Sequence, residues 1–101
     1  MYIERKANET TGEARIGRVN FSKTGRTMYY DGKEFAKVKD GIVHNCIELE
    51  SGEAYWISGC KKNGTDRLYG NIPVYIDKDI REEYWTIIRN QPELKLKETS
   101  N

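Results

Sequence analysis

The sequence predicts a mainly β domain closed by one C-terminal α-helix, built as a small, partly open barrel of the SH3-like kind or as a curled antiparallel sheet of about five strands. Three observations carry this expectation. Gly and Asx residues cut residues 14–76 into short segments. Two of the breaks, Asp31-Gly32 and Ser51-Gly52, have the composition of tight hairpin turns. After Asp77 the apolar spacing changes to that of a helix.

Taken in order, Tyr2 to Lys6 reads as a first strand and Ala7 to Glu13 as polar loop. Arg15 to Ser22 carries Ile16, Val19 and Phe21, whose alternation slips at Gly17, the mark of a bulge or of a close backbone approach. A two-residue Asp31-Gly32 turn pairs Tyr30 with Lys33 and Met28 with Phe35. The pattern alone does not settle whether the Met28, Tyr30 and Phe35 face or the Tyr29, Ala36 and Val38 face is inward, and the former is favoured. The same logic at Ser51-Gly52 pairs Leu49 with Ala54 and Ile47 with Trp56, and makes Ile47, Leu49 and Trp56 the inward cluster. Ile72 to Ile76 is a last short strand with Pro73 at its start.

The helix is expected over about 79–90. Asp79 and Glu82 have the spacing of a capping box, Ile80, Tyr84, Ile87 and Ile88 form the packed stripe, and Asn90 with Pro92 ends it. Residues 1–91 then make one domain, and 92–101, apolar only at Leu94 and Leu96, a disordered tail.

A length of 101 residues leaves no room for a second core. Seventeen Lys and Arg against sixteen Asp and Glu give a net charge of +1, so there is no global attraction to nucleic acid or anionic lipid. No apolar run reaches membrane-spanning length and the start lacks a signal peptide, so a cytoplasmic protein with reduced cysteines and no membrane contact is expected.

His44, Cys46 and Cys60 are zinc-type ligands, but the hairpin register sends the two thiols to opposite faces, and no fourth ligand stands out. No metal or cofactor is expected, and no catalytic residue is singled out. The stretch after the Tyr55-Trp56 strand is more informative. Lys61, Lys62, Arg67 and Tyr69 share one Gly-containing loop, where cations could hold a phosphate backbone while a ring stacks on a base. Arg18, Arg26 and Lys33 could extend such a patch. The same chemistry suits an acidic or aromatic peptide. Equally, Asn63-Gly64 is a plain turn and the lysines are solvated.

Three motifs, Ile16-Gly-Arg-Val-Asn-Phe-Ser-Lys-Thr-Gly, Ser51-Gly-Glu-Ala-Tyr-Trp-Ile-Ser-Gly and Arg81-Glu-Glu-Tyr-Trp, together with Lys61-Lys-Asn-Gly-Thr-Asp-Arg-Leu-Tyr, resemble a family of small uncharacterised bacterial proteins of about this length. The resemblance spans Tyr2 to Arg89 and implies a bacterial protein, but no activity. The functional expectation is a non-enzymatic binding or adaptor module that contacts nucleic acid or a protein partner through the 59–71 loop. The alternatives are a small enzyme of unidentified reaction and a toxin-neutralising or structural accessory protein.

Overall fold

The computed structural model describes residues 1–6, 12–38, 44–66 and 73–100. It is mainly β with one C-terminal helix, and its single curled sheet forms a half-barrel. The strands number eight among the described residues, not about five. They are β1 (Tyr2–Arg5), β2 (Ala14–Ile16), β3 (Asn20–Phe21), β4 (Thr27–Tyr30), β5 (Lys33–Lys37), β6 (Cys46–Glu48), β7 (Ala54–Ser58) and β8 (Tyr75–Ile76). One of the extra strands has a local cause: the strand expected over 15–22 breaks at Gly17 into β2 and β3. The order across the sheet is β3-β4-β5-β6-β7-β1-β2-β8, antiparallel throughout except for the parallel β2–β8 pair.

The first hairpin has the expected register, Tyr30 opposite Lys33 and Met28 opposite Phe35. Asp31 and Gly32 both have positive φ, 52° and 73°, as a two-residue turn requires. Met28 and Phe35 are buried in the concave face with Ile3, Cys46, Tyr55 and Ile57.

The second hairpin differs from expectation. Ile47 stands opposite Ala54 and Cys46 opposite Tyr55, so the connection is longer than two residues. The cause is Glu48, which is 6% exposed and accepts from the backbone N–H of Glu50 at 2.6 Å and of Ser51 at 3.2 Å. Its carboxylate fills the loop that the shorter turn would have omitted. Because the slip is two residues, each side chain keeps its face. The inward set is nonetheless Cys46, Glu48, Tyr55 and Ile57, while Ile47 and Trp56 are half-buried on the convex face and Leu49 is 54% exposed.

One helical run, named α1 here, covers part of that convex face. It opens with a 3-10 turn over Lys78–Ile80, passes through one α turn over Arg81–Glu83 and widens to a π turn over Tyr84–Ile88. The expected Asp79 capping box is absent: Asp77 stands at the start with no side-chain cap, its carboxylate being used elsewhere. Asn90, at φ 51°, follows the helix end. The wide last turn rotates Trp85 into the core and Ile87 out, leaving Ile87 74% exposed and Trp85 fully buried. Ile80, Tyr84 and Trp85 pack on Tyr2, Ala14, Ile16, Val74 and Ile76.

Residues 92–100, expected as a disordered tail, pack against the domain instead. A 3-10 turn over Pro92–Leu94 leads the chain back beside β8, where Ile76 N–H bonds Glu98 O at 2.8 Å and Ser100 N–H bonds Val74 O at 2.9 Å. Trp85 Nε1 donates to Lys97 O at 3.0 Å, and Ser100 is buried. The segment is held by backbone pairing together with Leu94, which packs against the helix-side core, and the pairing is not revealed by its composition.

Candidate functional site

The concave face opens at the end of the half-barrel where the Asp31-Gly32 turn, the loop after β6, the end of β1 and the start of β2 come together. A cavity of about 80 Å³ lies there, floored by Ile3, Phe35 and Tyr55. Its rim carries three cations, Arg5, Arg15 and Lys33, and two acids, Glu13 and Asp31. Strand alternation explains the placement. Arg5 has the same parity as buried Ile3 on β1, and Arg15 pairs with Ile3 across β1–β2, so both guanidinium groups leave the sheet on the concave side.

One wall is a fixed network. Asp77 accepts from Arg15 Nε at 2.6 Å on one oxygen and from the Tyr30 hydroxyl at 2.5 Å on the other. Gly17 makes this possible, since a Cβ there would lie 2.3 Å from the Tyr30 ring and 2.5 Å from Asp77 Oδ2. Of the two readings of Gly17 in the sequence, close backbone approach describes the structure. Burial, and then the hydrogen bond to Asp77, push the Tyr30 phenol far above the ordinary tyrosine range. Burial alone would lower the Arg15 guanidinium, but its hydrogen bond with Asp77 and that carboxylate's charge hold it above its ordinary value. This wall stays rigid and charged.

The opposite wall is looser. Arg5 meets Glu53 at 3.4 Å, both side chains being nearly half exposed. Lys33 is exposed and has no ion pair among the described residues. The Tyr55 phenol is raised by burial, an effect opposed by nearby Lys33 and Arg5. Both phenols are therefore hydrogen-bond donors rather than bases near neutral pH.

Among the residues expected to bind ligand, the strand order sets Lys33 apart from the other described ones. Lys33 begins β5 at the mouth. Arg18 follows β2, Arg26 precedes β4, and Lys61 and Lys62 follow β7, which the antiparallel order puts at the other end of the strands. Arg18 is engaged with Glu83 at 3.0 Å. Lys61, Lys62 and Arg26 are exposed, and Arg67 and Tyr69 lie outside the described residues. The loop around Lys61 is well tied: Lys61 N–H donates to Asp66 Oδ1 at 2.7 Å and Thr65 Oγ1 to Asn63 Oδ1 at 2.6 Å. Arg89, which looks solvated in the sequence, stacks over Trp85 at 4.8 Å and donates to Tyr84 Oη at 3.1 Å and to Ser100 O at 3.0 Å. Gly64 rests on its guanidinium.

Cys46 lies in the concave core and Cys60 packs on the helix side; both are free thiols. Burial raises Cys46 to about 12 and raises Cys60 as well, so neither is an activated nucleophile. Among the described residues, no three His, Cys, Asp or Glu side chains form a metal-binding group. Sequence reasoning missed Arg5, Arg15, Tyr30 and Tyr55. The available signal was parity, a cation or tyrosine at a strand end in phase with buried residues. Comparison with known proteins finds no match, neither a family model, nor a curated protein, nor a solved structure.

Proposed function

We propose that this chain is a non-enzymatic binding or adaptor module whose barrel mouth receives one acidic side chain of a protein partner. The volume of the mouth carries the reading. At about 80 Å³ the cavity is well below the roughly 300–1,000 Å³ of small-molecule and cofactor pockets, yet it suits a single side chain. Its apolar floor would take methylene groups, and Lys33 with the Tyr55 hydroxyl would take the carboxylate. Arg5 can join them at little cost, because exposed pairs such as Arg5–Glu53 contribute about 0–1 kcal/mol. In this reading the sheet works as a partly open, SH3-like barrel, and the motif resemblance supports a bacterial, cytoplasmic protein.

Nuclear magnetic resonance titration with a short acetylated peptide bearing one central glutamate, and with its glutamine counterpart, tests the proposal. The glutamate peptide should shift Ile3, Phe35 and Tyr55 signals, and Lys33→Glu should weaken it roughly tenfold. Equal binding of the glutamine peptide, or no shifts at the mouth, would reject it. A second reading, nucleic acid at the 59–71 loop, rests on the exposure of Lys61 and Lys62. Single-stranded oligonucleotides would then shift signals at Lys61 and Lys62, with affinity falling steeply as salt rises.

A further inference from the structure

Among the described residues, only half of the convex face is covered. α1 packs over β1, β2 and β8, while the β4 to β7 half carries Ala36, Ile47 and Ala54 half-buried and Tyr29 and Leu49 at 38% and 54% exposure. Strand β7 is thus apolar on both faces, with Tyr55 and Ile57 inward and Ala54 and Trp56 outward, Trp56 reaching the helix-side core, and β6 adds Ile47 to the outward face. Strands apolar on both faces are the pattern of a sheet covered on both sides. Beside them, at the hairpin tips, lies an open trough of about 340 Å³ lined by Tyr29, Lys33, Glu34, Glu48, Leu49 and Glu50, three acids against one cation.

We infer that this half of the convex face docks an amphipathic basic segment of a partner protein, on a surface that meets the barrel mouth only at Lys33. Charge selects the occupant. Glu34 and Glu50 are exposed and have no ion pair among the described residues, while Glu48 is turned inward onto loop amides. Lysines or arginines flanking an apolar stripe satisfy both features. A second copy of this chain fits less well, because a two-fold contact would bring together two surfaces of the same net negative charge. Nucleic acid and anionic lipid are repelled by the same two carboxylates.

The test uses a short amphipathic peptide of leucine and lysine, its leucine–glutamate counterpart, and the full chain labelled for nuclear magnetic resonance. The lysine peptide should shift Tyr29, Ile47 and Leu49 signals and leave Ile3 and Phe35 in place. Leu49→Ser, a change at an exposed loop position, should weaken binding about tenfold. Glu34→Gln should weaken it about threefold, and added salt should do the same. Equal binding of the glutamate peptide would overturn the inference, as would shifts centred on the mouth or no binding at all. Concentration-dependent dimerisation through Leu49 would replace the partner segment by a second copy and likewise overturn it. Because the mouth has its own probe, either surface can fail while the other stands.

Discussion

The two hairpins at the centre of the sheet are fastened by different means. The β4–β5 turn is a matter of backbone conformation, two exposed residues, Asp31 and Gly32, at positive φ. The β6–β7 connection is fastened by a side chain, the Glu48 carboxylate seated on two loop amides. The hairpins also differ in what they cover. Phe35 of the first is fully buried and meets Tyr55 edge-on at 4.9 Å. Trp56 of the second is half-buried, with its indole nitrogen bonded to Ser58 at 3.1 Å. A short turn can be specified by two residue types, whereas a longer loop closed by a carboxylate depends on where the buried face lies.

The largest expected effect tests burial. Phe35→Ala should lower unfolding free energy by about 3–5 kcal/mol in chemical denaturation. Trp56→Ala should cost less, about 2–3 kcal/mol, since Trp56 packs against the helix-side core but keeps part of its surface in water. Equal losses would mean that the convex face is as closed as the concave one, which would also remove the inferred docking surface. Gly32→Ala should cost about 1 kcal/mol, because an alanine at φ 73° meets its own carbonyl. No change there would show that the first turn is not held by conformation.

The second turn should instead respond to acid. Hydrogen bonds from Glu50 N–H and Ser51 hold the Glu48 carboxyl below its ordinary value. A carboxylate lowered by folding contributes fully above its unfolded pKa, and the contribution is lost as pH falls through the lower folded value. Melting temperature should therefore fall on acidification more in the wild type than in Glu48→Gln, and parallel profiles would show that the carboxylate does not fasten the loop. The smallest effect belongs to Leu49→Ser, expected within about 0.5 kcal/mol of wild type because Leu49 is exposed.

Legibility in the sequence follows the range of the interactions. Asp31-Gly32, the break at Gly17 and the end of the helix at Asn90 are local preferences of one or two residues, and they could be read directly. The β6–β7 interior could not, because Ile47, Leu49 and Trp56 outrank Cys46, Glu48 and Tyr55 in hydrophobicity yet face outward. Curvature decides that choice, and it arises from all the strands together. The mouth was less legible still: Arg5, Arg15, Lys33 and Tyr55 come from four strands. Ile87 misled for a different reason, since one wide turn after Glu83 shifts the helical phase that its spacing implies.

A sheet that curls without closing ends in two borders, each able to template further strands from neighbouring molecules. Here one border, β3, is only two residues long. The other is taken by the chain itself, for Thr99 bridges Tyr75 and the flanking amides of Ile76 and Ser100 are already paired. Arg89 anchors the stopper at the Ser100 carbonyl from the end of the helix. Growth of a filament through β8 would first have to prise that paired segment loose.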